Sequence, residues 1–335
     1  IFLPLTLRTK LMIEALLLFM GLSAASILIV GGGLSGLAAA WELERLGASY
    51  RLIEVKPRLG GSIITRREEG FVLDGGAFLL EKYGEWSFLD ELGMGDALEH
   101  AGRYRDGELV LFRDGTQTLV DALASHLRGT IMQRMAVSSI GTIPGGFGVC
   151  LENGVLLEAT GVILAAPARY AERMLRTLLP DAALYLADYR YDPVVRVSLG
   201  YRREDMPSTL TRPEGGLFRF LEGYTFPSRV PEGHILLRAG VRLDCDPTVM
   251  TPDQALACVR ALLPNNAPVV EWATYWAEDY PLTRALPEHR AMMTQIEASL
   301  PRGLALVGSD YRAKRLNEQI EQGWAAAHRI LRETS

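Results

Sequence analysis

Lysine is scarce in this sequence. It occurs only at Lys10, Lys56, Lys82 and Lys314, and arginine supplies the rest of the 35 basic side chains. Cysteine is scarcer still, with Cys150, Cys245 and Cys258 the 3 present. No Cys-x-x-Cys and no histidine pair at metal-ligand spacing appears, which excludes a zinc ribbon and a disulfide scaffold. The wide spacing fits reduced core thiols in a cytosolic protein. A basic stripe is also lacking, the net charge is a mild −5, and the aromatics are scattered, so a nucleic-acid partner is not expected. A long apolar run is missing too. The stretch 15–25 is shorter than the roughly 20 residues that cross a bilayer.

What is present describes a globular chain. With 335 residues, 48% hydrophobic and 22% charged, one large or two medium domains with an ample core are expected. Residues 1–25 are rich in Leu, Ile, Met and Ala, interrupted by Arg8, Lys10 and Glu14. They read as an extra helix, packed on the protein or lying against a membrane. A signal-peptide core after Arg8 and Lys10 and an upstream extension before Met12 or Met20 are the competing readings.

Residues 26–30 (SILIV) form a short apolar run without alternation, as a strand buried on both faces does. GGGLSG follows, then a helix expected from Leu37 to about Leu46 and a second strand over 49–54. This is the β-turn-α-β dinucleotide-binding unit. A helix is expected over 114–127, a hairpin around Asn153-Gly154, and a second buried strand over 162–168. Between 190 and 280, strand-like runs at 194–201, 217–220, 235–239 and 269–276 are punctuated by Pro and Gly, as in a largely β second domain. The buried-strand texture returns in LALVG after Pro301, followed by a helix from about 317 to 331.

Gly31, Gly33 and Gly36 sit where a dinucleotide turn needs them. Gly31 turns the chain out of the strand, Gly33 lets backbone approach a pyrophosphate, and Gly36 lets helix pack on strand. Leu34 and Ser35 complete the turn, whose helix N-terminus offers unpaired N–H groups to phosphates. Glu54 ends the next strand, where a carboxylate can accept from both ribose hydroxyls and would repel a 2′-phosphate.

Arg58-Leu59-Gly60-Gly61 and Thr65 extend this pattern, with Gly75-Gly76-Ala77-Phe78 beyond. The whole resembles the flavin-containing amine oxidase and protoporphyrinogen oxidase superfamily. The resemblance implies FAD, with Arg58, Gly60, Gly61, Gly75, Gly76 and Ala77 along it. Ser62 stands where the family is usually basic. FRDGTQTLVDALASHL (112–127) resembles the segment leading to the adenine-contacting strand, placing Val137 at the adenine. VILAAPARYAERML and YDPVVRVSLGY are similar to protoporphyrinogen oxidases. At the C-terminus, Gly308, Ser309 and Asp310 would meet the pyrophosphate and ribityl chain, and Leu316, Asn317 and Ile320 would open the last helix beneath the isoalloxazine. Arg312-Ala313 replaces the usual glycine there, and Arg312, Lys314 and Arg315 either carry charge near the site or form a solvated face.

The same resemblance implies non-covalent FAD, because no cysteine lies beyond Cys258. It also argues against the lysine–water arrangement of many amine oxidases, because VVRVSLGY carries Arg196 and no lysine. Trp272, Tyr275, Trp276 and Tyr280 fall in an aromatic segment that lines the flavin face in the family, with Trp272, Trp276 and Tyr280 the substrate-lining candidates and core packing the competing account. His234 and His289 are isolated and read as structural or surface residues. No catalytic residue and no metal site can be named.

The expected fold class is α/β, a Rossmann-like FAD-binding domain (26–98, 112–189 and 300–332) interrupted by a smaller, mainly β substrate domain (99–111 and 190–299). The substrate domain is trimmed relative to the family, since only about a dozen residues separate Leu98 from Phe112; rearrangement, natural trimming and an incomplete chain stay open. Residues 1–19 faintly resemble a piece of the missing part. The expected function is an FAD-dependent oxidoreductase of oxidase type, moving a hydride from a substrate C–H to flavin N5, porphyrinogen oxidase-like or amine oxidase-like. The alternatives are a polyene desaturase or isomerase and a non-catalytic flavoprotein acting as a binding partner. The substrate is expected to be a small porphyrinogen, amine or polyene. The location is expected to be cytoplasmic, with peripheral membrane contact and a homodimer both left open.

Overall fold

A computed structural model describes residues 27–207, 210–243, 251–263 and 267–334. The apolar extension 1–25, its faint resemblance and Cys245 lie outside the described residues. In chain order, β1 (Ile27–Val30) leads into α1 (Leu34–Arg45) and β2 (Tyr50–Glu54). The hairpin β3 (Thr65–Glu68) and β4 (Phe71–Asp74) follows, then β5 (Leu80–Lys82), the short α2 (Phe88–Glu91), β6 (Leu98–Tyr104) and β7 (Gly107–Phe112). Next come α3 (Gln117–Ser125), β8 (Thr130–Gln133), β9 (Val137–Ile143), β10 (Gly146–Leu151), β11 (Leu156–Ala159) and β12 (Gly161–Leu164). The chain continues through α4 (Ala168–Leu175), α5 (Pro180–Ala187), β13 (Val194–Arg202), β14 (Phe218–Tyr224) and β15 (His234–Arg242). It ends with α6 (Pro252–Arg260), β16 (Val270–Trp276), α7 (His289–Ser299), β17 (Leu304–Leu306) and α8 (Leu316–Thr334).

The unalternating apolar runs form the central parallel sheet, ordered β17-β12-β1-β2-β8. Its middle strand β1 pairs with β2 on one side and β12 on the other, Ile29 lying between Leu52 and Ile163. All of ILIV is buried, because helices cover one face and the antiparallel β11-β10-β9 sheet the other. Removing one such Ile or Val side chain from water stabilises the fold by about 1.5–3 kcal/mol. The two-residue turn signal Asn153-Gly154 sits between β10 and β11, whose pairing sets Val149 opposite Leu157.

Two helix boundaries differ from the sequence reading. α1 starts at Leu34 and not Leu37, so Gly36 belongs to its first turn. α3 starts at Gln117 because Gly115, at φ +90°, turns the chain first. α8 crosses α1 on small residues. A Cβ on Gly323 would lie 2.5 Å from the Ser35 carbonyl oxygen and 2.9 Å from the Ala38 methyl. Gly323→Val should therefore force the helices apart and lower stability by about 1–3 kcal/mol, read as a drop in thermal midpoint of the apoprotein.

The second sheet is antiparallel, ordered β14-β15-β13-β16. One face packs Val195, Val197, Leu199, Leu237, Ala239 and Val241 against α6. The period of two puts Arg196 and Ser198 of β13, Arg238 of β15 and Trp272, Thr274 and Trp276 of β16 on the other face. That face meets the loop after β4.

Candidate functional site

The C-terminal edge of the parallel sheet collects the loops that follow β1, β2, β12 and β17, which is where ligands bind in open α/β sheets. Gly31 leaves β1 at φ +110°, and a Cβ there would lie 2.6 Å from the Ala165 carbonyl oxygen after β12. A Cβ on Gly36 would overlap the Gly31 carbonyl oxygen. These two glycines are required by the protein's own packing. Gly33 is different. It sits at φ −73°, open to any residue, and a Cβ there would meet nothing within 4 Å. The fold itself does not need glycine at this point, so the open space above it is where an external group would press on the backbone. Gly33 is the N-cap of α1 and offers no side-chain cap, and the first turn holds no acidic residue. The N–H groups of Leu34, Ser35 and Gly36 thus carry the partial positive charge that suits a pyrophosphate. The site fits the diphosphate of a dinucleotide.

Glu54 is buried at the end of β2. Its Oε2 accepts from the Gly32 amide at 2.6 Å and its Oε1 from the Lys56 amide at 2.8 Å. Each oxygen keeps a lone pair for a ribose hydroxyl, and the two bonds fix the carboxylate beside the glycine turn. Arg58 donates to the carbonyls of Leu59 (3.0 Å), Gly61 (2.7 Å) and Ile63 (2.9 Å), so its guanidinium shapes its own loop. That loop is stitched to the first by Gly60 N–H to Gly32 O at 2.7 Å, and a Cβ on Gly61 would lie 3.3 Å from Gly33 Cα. Ser62 is exposed.

Sequence reasoning gave Gly75 and Gly76 to a close approach of the flavin. The structure supplies a reason within the protein. A Cβ on Gly75 would lie 2.8–2.9 Å from Ile64, Thr274 and Trp272, and one on Gly76 would overlap the Ser62 carbonyl oxygen. Ala77 is half-buried next to them, its carbonyl bonded by the Thr116 hydroxyl at 3.0 Å. The second sheet clamps this loop. Gly75 O accepts from Trp276 Nε1 at 2.6 Å and Thr274 Oγ1 at 2.9 Å, and Gly76 O from Arg196 at 2.9 Å. Arg238 donates to Asp74 O at 2.7 Å. Burial, with Arg196 nearby, lowers the Arg238 guanidinium to about 10, still charged at neutral pH. Arg196 is in turn held by both oxygens of Asp279, at 2.7 and 2.8 Å.

Below the loop, Asp74 accepts from Thr65, Thr116 and the fully buried Arg229. Arg229 also donates to the carbonyls of Val72 and Phe112. Sequence reasoning missed Asp74, Arg229, Arg238 and Asp279. Their signal was available: an arginine inside an otherwise apolar strand, as in ILLRAGVR, needs a buried partner.

Around the last segment the structure departs from expectation. The Asp310 carboxylate turns inward, where Oδ2 accepts from the Ala168 amide at 2.9 Å and from the Tyr191 hydroxyl. Burial raises its pKa, against the lowering effect of those two donors. It ties β17 to α4, while Gly308 and Ser309 beside it are half-buried, the Gly308 amide donating to Gln322 Oε1 at 2.9 Å and the Ser309 carbonyl accepting from Arg284. Leu316 and Ile320 are buried in the core shared with α1, so they set the seat of α8. Asn317 stays partly exposed and bonds Glu321 at 3.1 Å. Arg312 pairs with Glu297, and Arg315 with Glu81 and Glu318; among the described residues these cations are neutralised locally. His289 is buried, its Nε2 facing the Tyr311 carbonyl at 2.8 Å and its Nδ1 the Tyr185 hydroxyl at 2.9 Å, a structural arrangement. His234 Nδ1 faces Glu232 O at 2.8 Å.

Of the other candidates, Val137 is buried at the start of β9 beneath the end of β2. Trp272 packs beside Phe71 and Phe78, which supports the core-packing account for that residue. Trp276 presents its ring to Lys56, whose Nζ lies 4.9 Å from the centroid. The Tyr280 ring lies 5.5 Å from the Arg196 guanidinium. Among the described residues no group of His, Cys, Asp and Glu could hold a metal ion, and no helix is long and apolar enough to cross a membrane.

The chain matches three family models: an NAD(P)-binding Rossmann-like domain over residues 29–92, the flavin containing amine oxidoreductases over 98–331, and a family of unknown function, DUF5935, over 1–40. It is 25% identical over 251 residues to the coproporphyrinogen III oxidase of Bacillus subtilis, covering 66% of this chain and 51% of that protein. It is 25% identical over 252 residues to the chloroplastic protoporphyrinogen oxidase 1 of Spinacia oleracea, covering 66% and 44%. The chain thus spans about half the length, or less, of the curated relatives it matches. Among solved structures, cyclohexylamine oxidase from Brevibacterium oxydans shares the fold with a TM-score of 0.70 at 15% identity, over 92% of this chain and 99% of that one. The match over 98–331, carried on a dinucleotide turn whose one unexplained glycine faces open space, places this chain in the flavin containing amine oxidoreductase family, with FAD as the cofactor.

Proposed function

We propose that the chain is an FAD-dependent oxidoreductase that holds its cofactor without a covalent bond. The observation that carries this reading is Gly33, a glycine that neither backbone conformation nor packing requires, at the uncapped N-terminus of α1. Gly33, the first turn of α1, Glu54, Gly61 and the backbone of Gly308 and Ser309 would hold the cofactor. No cysteine lies in the segment after Cys258 to attach it. Bound FAD would accept a hydride from a substrate C–H at N5. The protein's share is position and charge: the Arg196–Asp279 pair, Trp276 and Arg238 fix the Gly75–Gly76 loop against the second sheet. The division into a discontinuous cofactor domain and a substrate domain over 99–111 and 190–299 belongs to the same reading.

A porphyrinogen-like substrate suits the site better than an amine. The position expected for an amine-oxidase lysine is Arg196, and its charge is committed to Asp279 at 2.7 Å. The purified protein should show flavin absorption bands, and acid precipitation should release the flavin into the supernatant. Colourless protein that takes up no FAD on incubation would sink the proposal, and colour that stays with the precipitate would sink the non-covalent part.

A further inference from the structure

Three arginines reach the Gly75–Gly76 loop, and the fold pairs the charge of two. Arg196 donates to the Gly76 carbonyl and is held by both oxygens of Asp279. Arg229 lies beneath the loop on Asp74. Arg238 is only 4% exposed, yet among the described residues no carboxylate pairs with it. Its Nη2 donates to the carbonyls of Asp74 at 2.7 Å and Gly76 at 3.4 Å. Its Nε is buried and has no hydrogen-bond partner among the described residues. Its guanidinium lies 4.4 Å from the centre of the Phe78 ring. Asp74 attracts it, but that carboxylate is already bonded by Arg229, Thr65 and Thr116. Glu222, opposite Arg238 on β14, is exposed and takes the Tyr224 hydroxyl.

A buried guanidinium without a carboxylate is costly, and a neutral donor could serve two carbonyls. Burial, with Arg196 nearby, lowers the Arg238 pKa to about 10, so it keeps its proton at neutral pH. The loop it backs adjoins the cofactor turn. Gly76 packs on the Ser62 carbonyl, and Gly61, next to Ser62, packs on Gly33. Hydride transfer adds negative charge on that side of the loop. The substrate C–H bond breaks, its hydrogen and both electrons form the bond to flavin N5, and the flavin gains one negative charge. The oxidised substrate is left one charge more positive. Where water is excluded, a fixed cation favours such a charge through space, without contact.

We propose that Arg238 is the unpaired cation that offsets the negative charge bound flavin gains on reduction, making the flavin easier to reduce. This rests on the oxidoreductase reading above and adds an electrostatic residue to that site. Arg238 acts through its field across the loop and is a positioning residue, not a catalytic one. Equilibrating the FAD-loaded full chain with dithionite and a reference dye of known potential reads the flavin's reduction equilibrium. Flavin in the unaltered protein should be about tenfold easier to reduce than free FAD. Arg238→Met should shift the equilibrium about tenfold toward oxidised flavin, about 30 mV for a two-electron couple. Arg238→Lys should keep most of the unaltered value. A purely structural role would lower FAD affinity and thermal midpoint in both variants and leave their potentials alike. Equal potentials in the Lys and Met variants, or in the Met variant and the unaltered protein, overturn the proposal and leave the oxidoreductase reading standing. Arg238→Gln takes the place of a Met variant that does not fold. Flavin in the unaltered protein no easier to reduce than free FAD overturns the proposal without any variant. A chain that never takes up FAD overturns the oxidoreductase reading itself.

Discussion

Gly33→Ala should leave the protein folded and all but unable to hold FAD. The new methyl meets no protein atom within 4 Å, and φ −73° accommodates alanine. The expected cost to the apoprotein is about 1 kcal/mol or less, the usual price of alanine at a helix N-cap. The methyl would stand where the backbone must touch the pyrophosphate, so FAD affinity should fall roughly a hundredfold or more, about 2.7 kcal/mol. Gly36→Ala provides the contrast. Its methyl would overlap the Gly31 carbonyl oxygen, which should destabilise the apoprotein itself by about 1–3 kcal/mol. Thermal denaturation without cofactor and flavin fluorescence titration, run on both variants, separate the two effects. Equal loss of fold stability in both would mean that Gly33 serves packing and not a ligand.

The second large effect concerns the buried pair beneath the Gly75–Gly76 loop. Arg229 is wholly buried and Asp74 nearly so. Arg229→Ala removes the counter-charge of Asp74 and strands the carbonyls of Val72 and Phe112. Breaking a buried pair by one partner costs about 3–5 kcal/mol, a large share of the roughly 5–15 kcal/mol that holds a domain together. Asp74→Ala should cost about as much, since Thr65 and Thr116 lose their acceptor too. The double variant should cost clearly less than the sum, because the second substitution removes a charge already orphaned. Urea unfolding of the three variants checks this, and strict additivity would show that the two residues act independently.

Much of the fold could be read along the chain because its signals are local. ILIV, VILAA and LALVG are apolar without alternation, and they became β1, β12 and β17 in one parallel sheet. The strands of the second sheet were legible from their punctuation by proline and glycine. What the sequence concealed is set by contacts between distant residues. The inward turn of Asp310 depends on Tyr191 and on Ala168, 142 residues away. Gly75 and Gly76 looked like a flavin contact, yet the residues that forbid a side chain there are Trp272, Thr274 and the Ser62 carbonyl. The sequence shows Arg196 in place of a lysine; that its charge is committed to Asp279 follows from the return of the chain after β16. Conversely, nothing local separates Gly33 from Gly31 and Gly36; only the packing around each distinguishes a glycine the fold needs from one it does not.

Anaerobic addition of coproporphyrinogen III or protoporphyrinogen to the FAD-loaded protein, watched through the flavin absorption bands, tests the central claim most directly. Bleaching of the bands on mixing is the expected result, with the porphyrin appearing as the flavin is reduced. Bands that stay oxidised with both compounds, in protein that dithionite still reduces, would contradict a porphyrinogen-oxidising role.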